Sequence, residues 1–464
     1  MNISLNRNWL AKATLYIGVS ATIIIGEASP SNATAADDAE NKNPSTNIST
    51  NISTNVSTNL STNEALILDM RQNLASEDSV ASPEDATTSA YQQLIADLED
   101  LQGAYDPALS EQLFALGAAL QSQARHEEAV DVFKRGVHIA RVNTGLYSAE
   151  QLTMLRAEIN SHLMLGNFVQ ADERQRYLYR VERRALRANS TASAQALLDQ
   201  ARWQRQAYVL GIGENDARFG RLQAMWQLNR MALEEVINTE GDTSPALLSP
   251  LYGMLQSQYL MAGYQGFDEV LAGLGTDDRQ LANNGLAYKQ GVSVLEAIMQ
   301  INIANNPNDM RQRARDLTQL SDWSWWFGAR NKALENYRAA YDVIAKSDDP
   351  EALFEELFAA PTPLPDIDGI EPLPVYNTNE TNDEGVLAIR FGVTDTGQVT
   401  DITQLRAPEN EPEDAFISND RFLRHLRRVR FRPTFQEGEL KSRTDIVWSF
   451  NPQTWQTNPL VMTQ

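Results

Sequence analysis

GVLAIRFGVTDTGQV (Gly385–Val399) decides how the C-terminal part of this chain is read. Leu387, Ile389, Phe391 and Val393 alternate with Arg390 and other residues, the period of a strand buried on one face. Asp395-Thr396-Gly397-Gln398 supplies turn chemistry, and VTDITQL (Val399–Leu405) reads as the returning strand. The Asp-Thr-Gly stretch lacks the further acidic positions and closing glutamate of a calcium loop, so it predicts a hairpin turn. Working outward, Phe422, Leu426 and Val429 fall at i, i+4 and i+7, one apolar stripe of a helix, with Arg421, Arg424 and Arg428 opposite. Phe431-Arg432-Pro433 ends that helix, because proline cannot continue it. Ile446, Trp448 and Phe450 alternate again as a last strand. The order strand–strand–helix–strand predicts a small α+β (ββαβ) module over residues 376–452.

This pattern resembles the C-terminal domain of TonB-family energy transducers. The shared features are the Gly385–Val399 hairpin, a helix ending in the FRP of RRVRFRP (Arg427–Pro433), a glycine turn at Gly438 and a closing strand. The resemblance covers about the last fifth of the chain. Family members often carry Tyr-Pro just ahead of the first strand, where this chain has Pro374-Val375-Tyr376-Asn377. The family module docks an extended peptide of an outer-membrane transporter beside its sheet edge. Backbone hydrogen bonds give such docking its affinity, and pockets for alternate side chains give its selectivity. Carried over by position, the resemblance implies a protein-binding edge at Arg443, Thr444, Asp445, Ile446, Val447, Trp448, Ser449 and Phe450. Arg421, Arg424 and Arg428 would steer an acidic segment or simply form a solvated face.

Residues 91–350 read almost throughout as amphipathic helices broken by short polar turns. Leu113, Leu116, Gly117, Leu120, Ala129, Phe133 and Gly136 sit at the offsets of a tetratricopeptide repeat, in which small residues let two antiparallel helices approach. Gly166-Asn167-Phe168 turns into Ala171, the counterpart of Ala129, at an interval longer than the roughly 34 residues of the standard repeat. The longer unit resembles the repeats of kinesin light chains, which carry a Gly-x-x-Ser linker like Gly145-Leu146-Tyr147-Ser148. Leu317, Leu320, Gly328, Ala333, Tyr337 and Ala340 repeat the pattern near the other end. Between about 190 and 310 the helices are too degenerate for their repeats to be counted. Such arrays present a protein-binding surface or serve as rigid spacers. YLYRVERRALR (Tyr177–Arg187) is a basic run that either receives an acidic segment or lies in solvent. Trp323, Trp325 and Trp326 cannot share one helix face, so they are expected largely in the core.

PTPLPDIDGIEPLP (Pro361–Pro374) reads as a semi-rigid extended linker, within a linker region at 351–375. The acids just before it suit a helix start. At the other end, Arg7 and Lys12 precede the apolar run Ala13–Ile25, and Ala33-Thr34-Ala35 follows. That is the layout of a secretory signal peptide (1–35), with a run shorter than the roughly 20 residues of a spanning helix. No stable membrane anchor is therefore expected after cleavage. TonB itself keeps a membrane helix carrying a histidine, whereas the first histidine here is His126. Residues 36–90 form a low-complexity Ser-Thr-Asn spacer with too little apolar surface to fold. Its sequons at Asn47, Asn51, Asn55 and Asn59 would accept glycans in a eukaryote. Residues 453–464 read as a tail.

A formal net charge of −22 over 464 residues argues against nucleic acid, whose phosphates require a basic footprint. The chain has no cysteine, hence no disulfide, no thiolate metal site and no cysteine nucleophile. His126, His138, His162 and His425 include no pair at metal spacing, and Gly211-Ile212-Gly213 lacks the rest of a nucleotide fingerprint. No cofactor, metal site or catalytic residue is expected. The sequence therefore predicts a mostly α, non-catalytic periplasmic protein of a Gram-negative bacterium. A tetratricopeptide-type array and a TonB-like module would bind proteins, outer-membrane transporter peptides among them. The alternative is an envelope scaffold, wall or division associated, with no part in transport.

Overall fold

The computed structural model describes residues 83–213, 215–264, 277–370, 372–373, 376–377, 387–406, 422–436 and 438–450. The expected signal peptide, most of the spacer, the tail and Arg421 lie outside the described residues. The described chain falls into two compact units, one ending at Arg174 and one starting at Gln175.

In the first unit, α1 (Pro83–Gln102), α2 (Ala108–Ser122), α3 (His126–Thr144) and α4 (Leu152–Met164) pack in sequence, and α5 (Phe168–Ala185) begins. Helix α1 starts inside the expected spacer. Thr88 and Ala90 are buried, so the low-complexity composition gives out before residue 90. Asp106 Oδ1 accepts the Ala108 backbone N–H at 2.8 Å and opens α2. Leu109, Leu113, Leu116 and Leu120 of α2 face Ala129, Phe133, Val137 and Ala140 of α3, all buried. Ser148, in the Gly-x-x-Ser linker, caps a 3-10 turn by accepting Glu150 N–H at 3.1 Å.

The second unit continues with α6 (Thr191–Val209), α7 (Asn215–Glu240), α8 (Leu248–Ala262), α9 (Asp277–Asn305), α10 (Met310–Trp326) and α11 (Arg330–Ile344), each packed on the next. The pairs α6/α7, α8/α9 and α10/α11 form successive hairpins. Helices α7 and α9, at 26 and 29 residues, are far longer than a standard repeat helix. That excess length is why the period could not be counted there. Helix α12 (Pro350–Phe358) closes the series, with Asp349 Oδ1 accepting Ala352 N–H at 3.1 Å.

The C-terminal sheet has the order β2 (Tyr376–Asn377), β8 (Arg443–Phe450), β3 (Leu387–Val393), β4 (Val399–Arg406), all antiparallel. Its buried face carries Leu387, Ile389, Phe391, Val393, Ile446, Trp448 and Phe450. Phe422, Leu426 and Val429 pack on it as the stripe predicts, although the helix itself spans only 422–426. The chain then differs from a plain ββαβ. Between helix and closing strand lie β5 (Phe431–Arg432), paired with β1 (Thr362–Pro363), and a hairpin of β6 (Thr434–Gln436) and β7 (Glu439–Lys441). Phe435 of that hairpin is fully buried with Tyr337, Leu353 and Phe358 of α11 and α12. The sheet module and the last hairpin therefore share a core.

That core overturns the linker expectation. Helix α12 buries Leu353, Leu357 and Phe358, and Leu364, Ile370 and Leu373 are 1, 5 and 4% exposed. Proline content was read as stiffness, whereas the apolar residues recur every third position (Leu364, Ile367, Ile370, Leu373). The segment folds back on itself between Ile367 and Ile370, and its apolar residues enter different clusters: Leu364 joins α11 and α12, Ile370 the core of α6–α10, and Leu373 the sheet.

Gly117 shows how tightly the first hairpin is drawn. A Cβ there would lie 2.4 Å from Cε1 of the buried Phe133 ring. Replacing a helical glycine by alanine gains up to about 1 kcal/mol of propensity. Overpacking costs about 1–3 kcal/mol, and the fully buried ring would have to shift to admit the methyl group. Gly117→Ala is expected to lower the thermal unfolding midpoint, as followed by circular dichroism. An unchanged or raised midpoint would show the hairpin to be looser than described.

Candidate functional site

The sheet edge carried over from the family is the first place to look. In β8, Arg443, Thr444 and Asp445 are exposed, Val447 is half-buried, and Ile446, Trp448, Ser449 and Phe450 are buried. The structure thus gathers only Arg443–Asp445 as an accessible stretch. Arg424, in the short helix, and Arg428, just past its end, are exposed as well. Strand β8 is not a free margin along its whole length, because Tyr376 pairs with Phe450 and Asn377 with Ser449 on its outer side. Asp445 adopts φ 59°, and the β3–β8 register shifts between Phe391 and Val393, the mark of a bulge. A bulge interrupts the ladder that an added peptide strand would continue. The candidate edge is reduced to a short run on one side of it.

The FRP segment has a role that the sequence reading missed. Arg432 is 2% exposed, and its guanidinium meets Asp322 of α10 in a two-pronged pair. Nε donates to Oδ1 at 2.9 Å and Nη2 to Oδ2 at 2.7 Å. Arg432 also donates to the Leu357 carbonyl (2.9 Å) and to Asp366 Oδ2 (2.7 Å). Tyr337 donates its hydroxyl to Asp322 Oδ1 at 2.7 Å. Burial pushes the Asp322 carboxyl above its ordinary value, a rise that Arg432 and the Tyr337 hydroxyl offset only in part. Burial alone would lower the Arg432 pKa, but Asp322 and Asp366 more than offset this and keep it charged. A charged side chain amid tryptophans, as in SDWSWW (Ser321–Trp326), signals in sequence that a buried partner exists. The partner's identity was not readable. The tryptophans are core, as expected: Trp323 donates to the Tyr288 carbonyl (2.9 Å) and Trp325 to the Phe431 carbonyl (3.0 Å).

The third feature is a groove. The first helices of successive hairpins, α6, α8 and α10, share a face on which residues Asp366–Ile370 lie. A tight turn, closed by a bridge between Ile367 and Ile370, sits at its centre. Ile370 enters the core built by α6–α10. Gln256 of α8 donates to the Asp368 carbonyl at 2.6 Å. Beside the turn remain two cavities. One of about 830 Å³ has walls from Tyr252, Arg315, Gln319 and Asp366, and one of about 400 Å³ from Leu198, Arg202, Arg205 and Met225. Burial pushes the Tyr252 phenol up to about 12, so it stays a neutral hydroxyl.

Within the first unit, Glu158 and His162 form a buried polar pair, 3.7 Å apart, with Arg174 donating to Glu158 at 2.6 Å. Burial raises the Glu158 pKa and lowers that of His162. Neither residue lines either cavity of the groove. Among the described residues there is no group of three or more His, Asp or Glu placed to hold a metal ion. The basic run is partly engaged, Arg183 donating to Glu235 (2.8 Å) and Ser193 (2.7 Å).

These features define a mostly α, helical-hairpin repeat protein that carries a small α+β module. No family model matches the chain, and no curated protein does. Among solved structures it is similar to a putative kinesin light chain of Podosopora anserina with nearly identical TPR-like repeats. That match has 15% identity and a TM-score of 0.35, over 52% of this chain and 98% of that one. It is also similar to BtubC (BKLC) from P. vanneervenii, at 13% identity and a TM-score of 0.34, over 58% of this chain and 92% of that one.

Two outcomes follow from the buried groups. Asp322→Asn leaves the buried Arg432 with only the half-exposed Asp366 as a charged partner, and is expected to cost up to about 3–5 kcal/mol. The apolar double variant Asp322→Leu with Arg432→Met should recover most of that loss, as measured by denaturant unfolding. Burial lowers the pKa of His425, whose Nε2 lies 2.8 Å from the Pro372 carbonyl oxygen. The fold thus favours the neutral ring, and below the ordinary value of 6.5 protons bind the unfolded chain first. Stability should fall as pH drops from that value through the folded pKa. His425→Gln should flatten that part of the stability–pH curve.

Proposed function

We propose that the protein is a non-catalytic adaptor of the bacterial cell envelope, exported to the periplasm, whose helical array binds extended segments of other proteins. One observation carries this reading: the face made by α6, α8 and α10 already holds a turn of the same chain, Asp366–Ile370, with open cavities on both sides. A surface that seats one segment of mixed aliphatic and acidic residues is suited to seat others. Periplasmic location rests on the N-terminal layout of Arg7, Lys12, Ala13–Ile25 and Ala33-Thr34-Ala35. Outer-membrane transporter peptides enter through the likeness of Gly385–Phe450 to TonB-family domains. The short accessible run Arg443–Asp445, with Arg424 and Arg428, is the secondary docking position. A scaffold role in the wall or in division is favoured by one feature, the buried Arg432–Asp322 pair, which makes array and module one block rather than two hinged arms.

Titration calorimetry of the full chain with peptides from transporter N-termini tests the adaptor reading. Saturable binding at micromolar peptide supports it. Folded protein that takes up none of them, while wall or division proteins co-purify from envelope extract, would replace it with the scaffold reading.

A further inference from the structure

We infer that the cavity of about 830 Å³ beside the resident turn binds an ammonium or guanidinium group on an aliphatic stem, with Asp368 and Gln319 as its acceptors. The inference deepens the adaptor reading and rests on it for the source of the cation, a lysine or arginine of the partner segment. Three observations point to that chemistry.

First, the charged groups of the wall are paired among themselves except for one carboxylate. The wall carries Arg315, Arg432, Glu356, Asp366 and Asp368. Arg315 is held by Glu356 at 2.6 Å, and Arg432 by Asp322 and Asp366 at 2.7 Å each. Asp368 is left over. It is exposed, and among the described residues no hydrogen bond or ion pair engages its carboxylate. An anionic ligand is repelled by that charge, whereas a cation gains a partner. The net charge of −22 draws cationic segments from further off.

Second, Asp368 is fixed before any ligand arrives. Gln256 donates to its backbone carbonyl at 2.6 Å, and the bridge between Ile367 and Ile370 closes the turn around it. Pro365 and Ile370, both buried, pin the turn on either side. A carboxylate presented from a fixed backbone loses little freedom when it is engaged.

Third, α10 supplies a second acceptor. Gln319 lines the cavity, and its Oε1 is buried without a hydrogen-bond partner. A buried acceptor left unsatisfied is costly, and a ligand N–H provides the donor that it lacks. Gln319 acts on the Tyr252 hydroxyl through hydrogen bonding and Asp368 through its charge, so both sit at the same end of the cavity. An ammonium carries three donors and suits two such acceptors. Leu357, Pro363 and Ile367 line the cavity too and give an aliphatic stem apolar surface to cover.

The experiment titrates the full chain, by calorimetry, with the peptide Ac-LPKPL-NH₂, its counterpart Ac-LPQPL-NH₂, and n-hexylamine as a free amine. The lysine peptide is expected to bind, and the glutamine peptide to bind several-fold more weakly. Asp368→Asn should weaken the lysine peptide about three- to tenfold, and Gln319→Leu about twofold or more. Asp100→Asn makes the same change in net charge at an exposed position of α1 and should leave binding as it is. Circular dichroism melts confirm that each variant is folded. Equal binding of the two peptides, equal losses from Asp368→Asn and Asp100→Asn, or no binding of either the lysine peptide or hexylamine overturns the inference. If peptides from transporter N-termini bind wild type and Asp368→Asn alike, the adaptor reading stands and this site falls. If hexylamine alone binds, and weakens in Asp368→Asn, the site stands and the adaptor reading falls.

Discussion

A fully buried guanidinium is tolerable only where the fold supplies charge and acceptors on every side of it, and Arg432 imposes that requirement on the region from Gln175 onward. Asp322 comes from the helical array, Leu357 from the closing helix, and Asp366 from the extended segment. Tyr337 completes the set by satisfying the carboxylate. Four stretches distant in sequence must be in place together before the charge is neutralised, so the interaction specifies one arrangement more than it adds net stability. Phe435 packs beside the pair with Tyr337 and Phe358, giving apolar area to the same junction. The sheet is thus built onto the end of the helical stack, as a cap that covers its last hairpin.

Much of the fold was legible in the sequence because each local pattern agreed with its final environment. Leu387, Ile389, Phe391 and Val393 alternate and are all buried, and Phe422, Leu426 and Val429 hold their stripe although the helix is short. Leu113, Gly117, Ala129 and Phe133 follow repeat spacing because two helices crossing at close range need small residues opposite large ones. Helices α7 and α9 escaped counting because their length removes the period on which repeat recognition depends.

The candidate sites were less legible, and for a physical reason. Pairing across 110 positions, as between Asp322 and Arg432, leaves no trace in local spacing. A charged residue set among tryptophans, as Asp322 is in SDWSWW, shows that a partner must exist without naming it. Proline composition in Pro361–Pro374 suggests a solvated spacer, whereas Leu364, Ile370 and Leu373 are buried in three separate clusters built by residues distant in sequence. The β8 edge looked open because Tyr376-Asn377, only two residues long, falls below the length at which alternation can be recognised.

Two irregularities flank the Phe391-Gly392 step of β3, one in each neighbouring strand: Asp401 of β4 at φ 53° and Asp445 of β8 at φ 59°. Both neighbours of the central strand therefore swell outward at the same level, and each places an aspartate at the swelling. Two molecules meeting sheet to sheet would confront a kinked margin and like charges rather than a straight row of amides. That arrangement lowers the hazard of the sheet recruiting copies of itself into fibres.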